Sequence, residues 1–254
     1  MLKRALFLCY GVSSYLVFFG TFLYALGFVG GFAVPRALDG PASDPLFLAL
    51  AVDAALLGLF AVQHSLMARR GFKQLWTRVV PEPLERSTYV LFSSSALLLM
   101  FWQWRPLGGS VWSVEAPAVR FTFYALFAFG WGLVLVSTFL INHFDLFGLR
   151  QVWLYATGRP YTSLGFVTPG PYRLVRHPLY VGWLFAFWMT PTMTLSHLLF
   201  AVATTGYILV AIQLEERDLL HFHPAEYAAY QRRVPMLWPF ARKAATRPDA
   251  TAIA

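Results

Sequence analysis

Apolar residues in this chain come in long unbroken runs. Ala5–Val34, Pro45–Met67, Ser87–Trp104 and Phe121–Ile141 are nearly free of charge. A helix needs about 20 apolar residues to cross the hydrocarbon core of a bilayer. A fifth run, Leu179–Leu214, is interrupted near Pro191. At 1.5 Å per residue, the part before Pro191 reaches only ~18 Å, short of the roughly 30 Å core. It therefore predicts either a tilted helical hairpin or one that dips in without crossing, and both return Glu215 to the side where the run began. Backbone groups in lipid must be satisfied within the segment or by closed pairing, and the alternation that a barrel requires is absent. The pattern predicts an all-α integral membrane protein, a bundle of about five to six transmembrane helices.

Composition agrees. Of 254 residues, 58% are hydrophobic and 13% charged, about half the charged share of a soluble domain. Lys3 and Arg4 ahead of the first run resemble the start of a signal peptide. The run is longer than a signal core and no cleavage site follows closely, so it is expected to stay as a span. The lone Cys9 excludes an intramolecular disulfide and a paired-cysteine zinc site.

Basic residues set the orientation, because Lys and Arg concentrate in cytoplasmic loops. If the N-terminus, the loops after the second and fourth spans and the C-terminal tail share one side, that side holds 17 of the 20 basic residues. Only Arg36, Arg105 and Arg120 fall on the other. The net charge of +8 then reports topology and implies no nucleic-acid partner. Both termini are expected in the cytoplasm, and the membrane is expected to be a bacterial inner membrane.

The long connection 142–178 is rich in aromatics, among them Trp153, Tyr155, Tyr161 and Tyr172, and is expected to fold back on the membrane face as a functional segment. Residues 1–240 are expected to form a single domain, and 241–254 a disordered tail. Gly27 and Gly31 predict a close helix contact.

Ionisable residues gather at span ends on the basic side. His64 closes the second span and Asn142-His143-Phe144-Asp145 the fourth; Arg176-His177-Pro178 opens the hairpin and Glu215-Glu216-Arg217-Asp218 closes it. Any one of these can simply mark the interface. Four clusters on one face suit a site better. The segment Gly170-Pro171-Tyr172-Arg173-Leu174-Val175-Arg176-His177-Pro178-Leu179-Tyr180-Val181-Gly182, followed one hairpin later by Glu215-Glu216-Arg217-Asp218, Tyr227-Ala228-Ala229-Tyr230 and Trp238-Pro239, resembles the signature of isoprenylcysteine carboxyl methyltransferases and related membrane methyltransferases. Gln63-His64-Ser65-Leu66-Met67, Trp102-Gln103-Trp104-Arg105-Pro106 and Asn142-His143-Phe144-Asp145-Leu146-Phe147-Gly148 narrow the resemblance to the bacterial methanethiol S-methyltransferases, a branch related to NnrU-type proteins.

The resemblance implies S-adenosylmethionine as donor, S-adenosylhomocysteine as product, a small volatile thiol as acceptor, and a cofactor-binding portion at 170–240 forming a cytoplasmic pocket. The residue chemistry can serve it. Arg176 suits the donor's carboxylate, Glu215 or Glu216 its ammonium or a ribose hydroxyl, and Tyr172 and Tyr180 its cation or adenine. Pro178 keeps the preceding loop from continuing regularly as helix, leaving backbone groups free for the adenine edge, and Gly182 would let a ligand approach the backbone. No Gly-rich strand-to-helix turn of a dinucleotide fold is present.

On the acceptor side a thiol needs a base, because the thiolate is the nucleophile. His143 oriented by Asp145 is the candidate catalytic pair, with His64 as an alternative or supporting base. Asn142 and His143 equally suit a helix cap. Tyr227 and Tyr230 share a face and suit a lid or core packing. No cluster has metal-ligand spacing. A lipid or prenylcysteine acceptor, an NnrU-like protein without thiol methylation, and a haem protein are the competing readings; the last lacks an obvious axial histidine pair.

Overall fold

The computed structural model describes residues 1–240, so the expected disordered tail lies outside the described residues. The chain forms α1 (Leu2–Gly30), α2 (Leu46–Ala68), α3 (Arg70–Trp76), α4 (Glu82–Gln103), β1 (Ser110–Ser113), α5 (Pro117–Ile141), α6 (His143–Leu146), α7 (Leu149–Thr157), a 3-10 turn (Gly170–Arg173), α8 (Pro178–Trp188), β2 (Thr192–Thr194), α9 (Leu195–Phe222) and α10 (Pro224–Arg233). The protein is an all-α integral membrane protein. Helices α1, α2, α5 and α9 are long and apolar enough to cross a bilayer. Helix α4 has the length, with Glu82 and Glu85 in its first turn, and α8 is a short limb of 11 residues.

Apolar side chains point both ways, as lipid requires. Leu16, Leu23, Phe47, Val62 and Phe121 are exposed along the helices. The interior is aromatic: Phe28, Phe101, Trp104, Trp131 and Phe200 form one cluster joining α1, α4, α5 and α9.

The two ends differ. At one end β1 pairs antiparallel with β2, Ser110 opposite Thr194 and Ser113 opposite Thr192. There Arg105 N–H donates to Asp53 Oδ1 (2.9 Å), and His197 Nδ1 lies 3.1 Å from Asp39. At the opposite end Arg69 meets Asp218 (3.1 Å), Arg86 Nε donates to the Leu146 carbonyl (2.7 Å) and Arg176 meets Glu216 (2.7 Å).

This arrangement resolves the hairpin. Its tip pairs with the loop before α5 at the far end, so the α8–α9 hairpin traverses the bundle. The short α8 suffices because the chain before it is buried, at Tyr172, Val175 and His177. Non-helical backbone at such depth is tolerated where protein surrounds it.

Helix α8 rests on α5 at a glycine crossing. A Cβ on Gly130 would come within 2.6 Å of the Ala186 nitrogen, and one on Gly182 within 2.8 Å of the Gly130 carbonyl oxygen. Gly182 therefore serves this crossing; the open side expected to admit a ligand is filled by α5. Gly27 and Gly31 also differ from expectation. Gly31 closes α1 in the left-handed region (φ 71°), its N–H and that of Phe32 both returning to the Gly27 carbonyl (2.8 and 3.1 Å). That is a cap of the left-handed type; a Cβ on Gly27 would meet Phe32 and Val34 of the turn that follows, and one on Gly31 open space. The connection 142–178 folds back as expected at its start: Val152 of α7 is buried against Gly11, and Tyr155 stacks on Phe7 at 4.9 Å.

Candidate functional site

The end bearing Glu216 gathers His143, Asp145, His64, Arg176, His177, Glu215 and Glu216; the last turn of α5 separates a cluster around Glu216 from one around His143, and His64 lies in a further layer on α2. The first is built around Glu216, near the end of α9. Its carboxylate accepts from Arg176 Nε (2.7 Å) and Gln231 Nε2 (2.8 Å), with His177 Nε2 at 2.9 Å. Arg176 Nη1 also donates to the Val234 carbonyl (2.8 Å), and the Arg176 and His177 N–H groups donate to the carbonyls of Pro235 and Met236. Arg176 is thus committed to pinning the chain after α10 across the entrance to α8. Glu215 is differently placed. Its side chain is 46% exposed, with one oxygen 4.0 Å from His177 Nδ1.

Two tyrosines of this cluster sit between the pin and the bundle. Tyr172 is buried, and burial followed by the charge of Glu215 raises its pKa. Tyr227 is almost fully buried, its hydroxyl facing the Glu216 carboxylate with no close hydrogen bond among the described residues. Burial and then the charge of Glu216 raise its pKa as well. Tyr230 donates to the Tyr172 carbonyl, and burial pushes it up to about 12. Ser137 Oγ, on the face of α5 towards Tyr172, is buried beside the Tyr172 hydroxyl with no close hydrogen bond among the described residues. Buried polar atoms are ordinarily paired. Two buried hydroxyls that lack a close hydrogen bond, a half-exposed carboxylate and tyrosine rings can meet the ribose hydroxyls, ammonium and aromatic base of S-adenosylmethionine, so the residues present fit that molecule.

The second cluster surrounds His143, which is 3% exposed. Its Nε2 lies 2.9 Å from Tyr15 Oη of α1 and its Nδ1 2.8 Å from Thr138 Oγ1 of α5. The ring stacks on Phe139 at 4.2 Å, with Phe147 at 4.7 Å. Burial lowers its pKa.

Asp145 does not orient His143. It pairs with Arg150 (2.9 Å) and accepts from Tyr161 (3.3 Å). The reason is local. Helix α5 ends at Ile141, and α6 starts at His143 with Asn142 as its cap, accepting from Asp145 N–H (3.1 Å). In this new helix residues two apart face different directions.

His64 belongs to a separate layer on α2. It contacts Tyr89 Oη (2.9 Å) and Ser93 Oγ (3.2 Å) of α4 and stacks on Phe60 at 5.1 Å; no contact joins it to His143 among the described residues. Tyr180, Pro178 and Gly182 lie on α8, with Gly182 turned to α5. Sequence reasoning missed Tyr15, Thr138, Ser137 and Gln231. A hydroxyl inside an apolar span is the only local signal for the first three. No cluster of metal-ligating side chains occurs among the described residues.

No family profile matches the chain, and no solved structure matches it. Curated relatives do. It is 57% identical over 242 residues to the methanethiol S-methyltransferase of Crocosphaera subtropica, covering 95% of each chain. To the methanethiol S-methyltransferase of Mycobacterium tuberculosis it is 56% identical over 239 residues, 94% of this chain and 98% of the relative. A more distant likeness, 32% over 201 residues, is to Nurim of Mus musculus, with 76% of this chain and 74% of that one covered.

Proposed function

The chain belongs to the methanethiol S-methyltransferase family, and from that premise we propose that it methylates methanethiol to dimethyl sulfide with S-adenosylmethionine as donor. The carrying observation is the pair of clusters either side of the last turn of α5, one with groups suited to the donor and one built around the buried His143 imidazole. When bound, the donor supplies an electrophilic methyl group on a sulfonium. Glu215 holds its ammonium or a ribose hydroxyl, Ser137 and Tyr227 offer hydroxyls, and Tyr172 and Tyr180 offer π faces. Arg176 and Glu216 act on this site by holding the chain after α10 against His177.

The His143 cluster serves the acceptor. A free thiol is mostly protonated at neutral pH, as the Cys value of about 8.5 indicates, and a neutral imidazole can remove that proton. The aromatic wall excludes water and suits a small apolar thiol. Holding sulfur and methyl in line lowers the entropic part of the barrier. The basic end is assigned to the cytoplasm, where the donor is made, and the site is assigned to a single domain whose cofactor-binding portion runs from 170.

Purified protein in detergent, given S-adenosylmethionine and methanethiol, is expected to release donor-dependent dimethyl sulfide, read by headspace gas chromatography. Protein that binds S-adenosylhomocysteine yet yields no dimethyl sulfide would redirect the acceptor assignment to lipid or prenylcysteine carboxylates. Failure to bind it would remove the methyltransferase reading.

A further inference from the structure

Two hydroxyls fix the protonation pattern of the His143 ring. Thr138 Oγ1 carries one hydrogen and lies 2.7 Å from the Leu135 carbonyl oxygen, which can only accept. That hydrogen is therefore committed to Leu135. At its other contact, 2.8 Å from His143 Nδ1, Thr138 must accept, so Nδ1 carries the imidazole proton. In the neutral ring Nε2 is then the bare, basic nitrogen. Its neighbour at 2.9 Å is Tyr15 Oη, which donates its only hydrogen there. The other groups against the ring are the aromatic side chains Phe18, Phe139, Phe144 and Phe147, and none of them is charged.

It follows that the basic nitrogen is capped. A thiol cannot reach Nε2 while Tyr15 occupies it, but it can reach the half-buried tyrosine oxygen, whose remaining lone pairs are free to accept. We propose that Tyr15 is a catalytic residue of the methyl transfer, relaying the thiol proton to His143, with Thr138 positioning the ring by fixing its tautomer. This rests on the thiol-methylation reading. The step balances: the S–H bond breaks and its proton goes to Tyr15 Oη while the Tyr15 proton passes to Nε2. The electron pair left on sulfur forms the new S–CH3 bond, and the old C–S pair returns to the donor's sulfur. The imidazolium later releases its proton to solvent.

Tyr15→Phe removes the relay and keeps the ring. Its kcat at neutral pH should fall about 100-fold, the lower range for a positioned proton-transfer group, with unchanged affinity for S-adenosylhomocysteine. The deficit should shrink as pH passes the thiol's own pKa. Thr138→Ser should keep activity and Thr138→Val should lose it. A readout independent of turnover is the 15N spectrum of histidine-labelled protein, in which His143 should show a protonated Nδ1 and a bare Nε2. Wild-type kcat and pH profile in Tyr15→Phe, or the opposite tautomer, would overturn the relay. An inactive wild-type enzyme would instead remove the parent reading, and the relay with it.

Discussion

At the residue scale, adjacent glutamates on α9 have separate tasks. Glu216 is enclosed by Arg176, His177 and Gln231, and its removal takes a partner from each of the three. Removing one partner of a buried pair costs about 3–5 kcal/mol. The Arg176 and Glu216 side chains keep 10% and 15% exposure, and solvent screening lowers the expectation for Glu216→Ala to about 2–3 kcal/mol. Glu215 has no such enclosure. Glu215→Ala should leave the melting temperature in detergent within about 2 °C, because a half-exposed ion pair contributes only about 0–1 kcal/mol. It should weaken S-adenosylhomocysteine binding about tenfold, the value of one charge-assisted hydrogen bond. Calorimetry and thermal unfolding on both variants check this. Equal loss of stability in the two, or unaltered binding in Glu215→Ala, would contradict the division.

At the scale of elements, the crossing of α5 and α8 sets the distance between the two clusters, since Ser137 and Thr138 lie two turns beyond Gly130 on α5. Gly130→Leu places a side chain where backbone atoms already stand 2.6 and 2.8 Å away. Overpacking of this kind typically costs 1–3 kcal/mol. Lower thermal stability together with a larger kcat loss than Gly132→Leu, whose Cβ would meet open space, is the expected outcome. Much of this scale was legible beforehand. The spans follow from what lipid demands of any backbone, and Pro191 marked the turn of the hairpin. Gly182 misled because a glycine that admits a ligand and one that admits a helix look alike in one sequence. Asp145 misled because a four-residue helix begins at His143, a boundary that hydrophobic periodicity does not encode. Tyr15 was out of reach for a different reason. It lies 128 positions from His143, and only tertiary packing joins them.

For the whole molecule, the two ends are chemically unlike, and the difference predicts which compartment each faces. One end is closed by the β1–β2 pair, Asp39 with His197 and the buried Asp53; the other carries both clusters and most of the basic residues among those described. Moving a basic segment across a bilayer is disfavoured, so the two ends should be fixed in opposite compartments. Cys9 is the single cysteine, and it is exposed on α1, so Cys9→Ser gives a clean background. Ser43 lies in the exposed loop before α2 and Thr77 is exposed just after α3, which places them at opposite ends. In intact cells a membrane-impermeant maleimide should label Ser43→Cys and spare Thr77→Cys, and lysis should make the second reactive. The reverse pattern would put the donor cluster outside the cell, away from the compartment that makes S-adenosylmethionine. It would thereby count against the proposed donor as well as the orientation. Labelling of both positions in intact cells would mean that the protein inserts in two orientations, and the unequal distribution of arginine and lysine would have lost its explanation.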